Sequence, residues 1–353
     1  MNRARDLFTA LMAVFLGLVA GAIFMTAIGA NPFAGFFYLF RGGLMSISRI
    51  GDTLSTATTL ILTGLAVAFA FRTGLFNIGV AGQMLVGGLV ATMLALTIGE
   101  SMPKYLFIPL VLVCSMLAGA LWAGIAGLLK AAFNVHEVVA TIMLNWTAFW
   151  VVDYIIPTFF KAGLETESRT ILSDASMRMD WMNRLFDGSH VNFGLFVSIS
   201  AVIIIAIILD KTVLGYELKA VGFNHHAAEY AGIDVARNVT LAMAISGALA
   251  GLAGATYYTG YTLNMQIGVM PTAGFDGIAV ALLGANSPWG VLAAALFFGI
   301  LHAGKGLMGA NTSIPPEIGD TIIATIIYFA ATSILFFKLF DYLKKKFKKG
   351  GQA

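Results

Sequence analysis

The sequence predicts an all-α fold, a polytopic transmembrane helical bundle of about 8–10 spans, and three observations predict it. Of 353 residues, 59% are hydrophobic and 11% charged, whereas a soluble domain carries roughly 25% charged residues. The mean hydropathy is +0.87, and the apolar residues gather in runs close to the ~20 needed to cross a hydrocarbon core. Glycine fills 39 positions, which membrane helices tolerate because it lets backbones approach closely. Soluble globular classes are excluded. No stretch between the runs reaches the ~50 residues of a separate soluble domain, so residues 1–353 read as a single transmembrane domain.

The first run, residues 7–30, follows Arg3 and Arg5. Ile28, Gly29 and Ala30 make a poor cleavage site, so this run is expected to remain as the first helix. Further runs lie at 54–71, 76–98, 105–129, 138–160, 191–209, 239–261 and 321–340. The stretch 275–303 is too long for one helix and is cut by Asn286, Ser287, Pro288 and Gly290. It is expected to form two shorter segments, giving a total of about ten.

The formal net charge is only +3, too small to indicate a nucleic-acid partner. Its distribution is more informative, because Lys338, Lys344, Lys345, Lys346, Lys348 and Lys349 crowd the end of the chain. Lys and Arg bias short loops to the cytoplasmic side. The tail at 341–353 and the N-terminus are therefore both expected inside, which an even number of crossings satisfies. Five crossings place the 161–190 loop outside, and one more places 210–238 inside. Cys114 is the single cysteine, so neither an intrachain disulfide nor a Cys-rich metal site is available.

Polar residues inside the apolar runs mark candidate sites. Asn77 and Gln83 occur with Gly79 and Gly82 in the run 76–98. Backbone at membrane depth leaves helical geometry only where it lines protein or a water-filled cavity. Two readings stay open: a break facing a pathway, or an ordinary helix whose amides bond to neighbouring helices. Asn145 and Trp146 add an amide and a planar ring on a second run. Asn77, Gln83, Asn145 and Trp146 are thus the substrate-pathway candidates. Asp153 and Asp276 fall near expected outer ends and read as interfacial.

Other patterns point to packing or to nothing. Gly119, Ala123 and Gly127, and likewise Gly247, Gly251 and Ala255, recur every four residues and form small-residue faces for helix contact. Gly299, Gly304 and Lys305 imitate part of a phosphate-binding loop, but Gly306 replaces its Ser or Thr and an apolar run precedes it. His136-Glu137 lacks the second histidine of a zinc-peptidase motif. No paired nucleophile and base, and no metal-ligand set, has convincing spacing, so no catalytic or metal site is assigned.

The sharpest feature is the polar stretch 215–233, GYELKAVGFNHHAAEYAGI. Its alanines and flanking glycines suit a compact helix-turn element docked in a partner's groove. A connector lying on the membrane surface would instead carry a basic amphipathic face.

Four blocks in order carry a family resemblance: FNIGVAGQM at 76–84, NVHEVVATIMLNW at 134–146, the stretch at 215–233, and GFDGIAVALLG at 274–284. The chain resembles the permease subunits of bacterial ABC importers, in the branch serving branched-chain amino acids, simple sugars and nucleosides. It is most similar to the nucleoside permeases. The resemblance implies a type II importer fold and a coupling helix docked on a cytoplasmic ABC ATPase. Ala220, Asn224, His226, Ala227, Ala228, Glu229, Tyr230, Gly232 and Ile233 are the coupling candidates. Importer loops often read E-A-A-x-x-x-G, and here His226 stands where Glu is usual. Ala81 stands where relatives often carry Glu, so no acidic role is transferred to it.

The resemblance further implies a transport subunit rather than an enzyme, with ATP used by a partner and no cofactor held by this chain. The expected partners are that ATPase, a second, related permease chain, and a periplasmic or lipoprotein solute-binding protein meeting the 161–190 loop. The expected location is the bacterial cytoplasmic membrane, among lipid. Nucleosides are the expected solutes, with ribose-like sugars as the alternative. An ion-coupled secondary transporter is the competitor from another class, since it too uses broken helices.

Overall fold

The computed structural model describes residues 3–163 and 166–332, with side chains described from residue 8. The helices are α1 (Arg3–Ala27), α2 (Pro32–Leu44), α3 (Ile47–Arg72), α4 (Val80–Thr97), α5 (Lys104–Phe133) and α6 (Glu137–Phe159). They continue with the short α7 (Asp180–Leu185), α8 (Gly194–Lys211), α9 (Val213–Phe223), α10 (His225–Tyr230) and α11 (Val235–Thr256). A π-helical turn, Tyr257–Thr262, extends α11. Last come α12 (Ala273–Leu283), α13 (Pro288–Asn311) and α14 (Glu317–Ala331). Among the described residues, eight helices are long and apolar enough to cross a membrane. The lysine-rich tail and the later part of the run 321–340 lie outside the described residues.

The differences from the expected boundaries have physical reasons. Helix α3 starts at Ile47, well before the apolar run at 54–71, because its hydroxyls are satisfied locally. Ser46 caps it by accepting from Arg49 N, Thr56 donates to Asp52 O and Thr58 to Leu54 O. The run 76–98 yields a helix only from Val80, with residues 73–79 turning instead. The 13-residue α2 was not anticipated. The stretch 275–303 divides as expected into α12 and α13, but only α12 is short: α13 runs on to Asn311 and its 24 residues are long enough to span. At the break, Ala285 and Asn286 take φ of +51° and +52°, a left-handed conformation that cannot continue a helix.

Contacts group the described residues into two units. In the unit formed by the described residues up to 42 and from 304 to 332, α1 packs on α14. Gly17 and Gly21 of α1 face Ile326 and Ile322, leaving no room for a Cβ. Lys305 pairs with Asp320.

The unit of residues 43–303 is built around α3, α4, α5 and α11. Every residue of α3 from Ala57 to Ala70 is buried. The two small-residue faces meet: a Cβ on Gly119 would lie 2.1 Å from Gly247 O, and one on Gly247 would lie 2.3 Å from Ala123 Cβ. The opposite side of α11 is as tight, since a Cβ on Gly254 would lie 2.1 Å from Met84 O of α4. Such backbone contact supplies the dispersion that holds helices together where lipid is as apolar as leucine. Leu85, Leu89, Ala148, Val152, Ile156, Phe160, Tyr258 and Met265 form one core cluster that joins α4, α6 and the segment from the π-helical turn onward.

The polar segments of this unit sort to opposite ends. The 161–190 loop is bonded to the end containing the π-helical turn: Ile171 N donates to Leu263 O, and Met177 N to Thr259 O. Arg178 Nε donates to Gly260 O at 2.8 Å, and Lys104 Nζ donates to Ser173 O at 3.0 Å. Asp52 pairs with His190 at 3.0 Å. At the other end, Gly222 of α9 packs on Arg72 O and Gly74 N, and Arg72 Nε donates to Asn286 O at 2.7 Å. Helix α8, 18 residues long and hence ~27 Å at 1.5 Å per residue, joins the two ends.

Candidate functional site

Three of the four pathway candidates converge. Asn77 Nδ2 donates to Gln83 Oε1 at 2.9 Å and to Ser246 Oγ at 2.8 Å. Gln83 Nε2 donates back to Asn77 Oδ1 at 3.0 Å, and the same oxygen accepts from Gly79 N. Asn145 crosses from α6, accepting from Gly82 N at 2.8 Å and donating to Ile78 O at 3.0 Å. Ser246 Oγ in turn donates to Ala66 O. All four side chains are buried. The result is a closed network that satisfies the backbone where residues 73–79 leave helical geometry, the requirement for any non-helical segment at membrane depth. Trp146 stands apart, exposed on α6 with its ring edge-on to Phe149.

Glycine lets this network close. A Cβ on Gly82 would lie 2.7 Å from Asn145 Oδ1, and one on Gly274 of α12 would lie 2.5 Å from Ala81 Cα. Helix α12, with 11 residues and ~16 Å of length, is a half-helix whose first turn therefore abuts the first turn of α4.

The same half-helix holds an ionisable pair. Asp276 Oδ2 lies 3.7 Å from His302 Nε2 of α13. Gly277 packs on the Thr63 backbone, where a Cβ would lie 2.8 Å from the carbonyl carbon. Thr63 is about 24 Å along α3 from Ile47 and about 14 Å from Arg72 at 1.5 Å per residue. Asp276 thus sits at membrane depth rather than at an interface, correcting the sequence-based expectation. Insertion scales place a lone charge there at a cost of about 3 kcal/mol. Asp153 is half-buried on α6.

The coupling candidates form a capped double turn. Thr212 caps α9 by accepting from Gly215 N, and Asn224 caps α10 by accepting from Ala227 N. Helix α10 ends with Gly232 N donating to Glu229 O and Ile233 N to Ala228 O, which is the Schellman pattern. Gly232 takes φ +81° to close it, a conformation open to glycine at no steric penalty. Asp234 then caps α11 by accepting from Arg237 N. Asn238 Nδ2 donates to Glu217 at 3.0 Å, tying α11 to α9. Ala228 is buried beneath the turn; Ala220 and Ile233 are partly covered. Asn224, His226, Ala227, Glu229 and Gly232 are exposed, and Tyr230 is 95% exposed beside Phe223 at 87%. A rigid backbone thus presents aromatic rings outward.

Sequence reading missed Ser246, His302, Lys104 and Arg178. His302 carried a usable signal, an ionisable residue deep in an apolar run. Ser246 carried none, because a serine among small residues reads as packing.

The family described as Branched-chain amino acid transport system / permease component matches residues 49–331. The chain belongs to this permease family. Within it, the chain is similar to the nucleoside ABC transporter permease protein NupB of Lactococcus lactis subsp. cremoris. The two are 43% identical over 340 residues, covering 95% of this chain and 93% of the relative. The guanosine ABC transporter permease protein NupP of Bacillus subtilis is 42% identical over 347 residues, covering 98% and 99%. The glucose ABC transporter permease protein TsgB13 of Haloferax volcanii is 30% identical over 335 residues, covering 93% and 88%. This permease is accordingly a multi-pass membrane protein of transporter type.

Proposed function

We propose that the chain is the membrane subunit of an ATP-driven importer of nucleosides, working with a second permease chain, a cytoplasmic ATPase and an external solute-binding protein. The observation that carries this reading is the near full-length identity of 42–43% to permeases named for nucleosides and guanosine, well above the 30% to the one named for glucose. The geometry supports it. A capped, rigid turn with exposed Tyr230 and Phe223 suits docking on an ATPase at one end. The strapped 161–190 loop suits reception of a solute-binding protein at the other.

In this reading the permease performs no bond-making chemistry. Its contribution is two packings with different exposure, biased by ATP binding to the partner. Asn77, Gln83 and Asn145 hold the break before α4 in register beside the pathway, and Trp146 offers a ring on the adjoining face of α6. Both termini and the 210–238 segment lie in the cytoplasm of a bacterial cell.

Uptake of labelled guanosine in cells making the whole transporter tests this. Uptake should persist with a proton ionophore and stop on ATP depletion. Unlabelled inosine and uridine should compete, and ribose should not. Competition by ribose alone would move the assignment to simple sugars. Ionophore-sensitive uptake would move it to ion-coupled transport.

A further inference from the structure

Asp276 and His302 are an ionisable pair that the docking and packing described above do not use. They belong to different helices, α12 and α13, and pair at 3.7 Å. His302 lies about 21 Å along α13 from Pro288 and about 14 Å from Asn311 at 1.5 Å per residue, so it too is at membrane depth. Neither side chain is sealed, with relative exposures of 23% for Asp276 and 19% for His302. An ionisable group at this depth almost always faces the bundle interior or water rather than hydrocarbon. The exposed side of the pair therefore meets an aqueous pathway or another protein surface.

Placement favours the pathway. Asp276 is in the first turn of half-helix α12, and Gly274 seats that turn against Ala81, in the first turn of α4. The half-helix α12 and the spanning helix α4 thus begin side by side, beside the Asn77 network. The start of a half-helix within the membrane is where transporters build midplane solute sites.

The chemistry selects a solute group. A carboxylate offers two acceptor oxygens on one plane, and an imidazole offers a donor or an acceptor. The start of α12 compensates part of the carboxylate charge, which favours a neutral partner over a cation. Two adjacent hydroxyls fit this acceptor pair. We propose that Asp276, oriented by His302, accepts hydrogen bonds from the vicinal ribosyl hydroxyls of the nucleoside as it passes. The proposal rests on the nucleoside reading given above.

The test compares initial uptake of labelled guanosine and 2′-deoxyguanosine in cells making the complete transporter, with immunoblots of membrane content. In Asp276→Asn, guanosine uptake should fall by about tenfold, the scale of a lost hydrogen bond to a charged group. Deoxyguanosine uptake should change far less, so the preference between them collapses. His302→Gln should reduce the same preference by a smaller factor. An equal fall for both solutes, or an unchanged preference, would overturn the proposal alone. Uptake of neither solute by the unsubstituted transporter would overturn the nucleoside reading itself.

Discussion

Asn77 uses both amide groups at once: it donates to Gln83 and Ser246 and accepts from Gln83 and Gly79 N. Truncating it strands several buried polar groups, each of which costs about 1–3 kcal/mol when unpaired. Asn77→Ala is therefore expected to destabilise the protein by about 2–3 kcal/mol, read as a lower melting temperature of the purified permease in detergent. An unchanged melting temperature would refute the strut role. The sequence showed Asn77 and Gln83 as anomalous and left two readings open. In the structure the helix starts at Val80, after the turn at 73–79, and the amides bond to each other and to Ser246 of α11. Asp276 was misplaced because the sequence carries no depth coordinate for an 11-residue half-helix that never crosses the bilayer alone. Its partner His302 is 26 positions away, a pairing that no local pattern encodes.

Helix contacts were legible where they depend on periodicity. The Gly119 and Gly247 stripes were readable from four-residue spacing, and they do face each other. What spacing could not tell is which glycines are indispensable, because that depends on the neighbouring backbone. A Cβ on Gly119 would meet Gly247 O at 2.1 Å, whereas one on Gly124 of the same helix meets nothing within 4 Å. Gly119→Ala should therefore force α5 and α11 apart and reduce the folded fraction. Gly124→Ala should be neutral or stabilising, by up to the ~1 kcal/mol helix preference of alanine over glycine. Thermal melts of the two variants side by side check this. Equal effects would mean that helix propensity, not close approach, governs α5. Helix α2 escaped detection for a related reason. Its 13 residues are too few for the spanning length that identifies the other runs.

Across the unit of residues 43–303, sidedness becomes an experimental question with two well-separated reporters. The 161–190 loop is bonded to the end with the π-helical turn, through Arg178 and Met177. The α9–α10 turn is packed on the other end, through Gly222 and Arg72. The ~27 Å of α8 between them is close to the hydrocarbon thickness of a bilayer. The two segments must therefore emerge on opposite faces, whichever face is cytoplasmic. Coupling to an ATPase requires the turn to be inside. In a Cys114→Ser background, Asp174→Cys should react with a membrane-impermeant maleimide in intact cells. His226→Cys should react only after permeabilisation. The reverse pattern would put Tyr230 and Phe223 outside the cell, where no ATPase could grip them, and would leave the rigid turn without the partner on which ATP-driven transport depends.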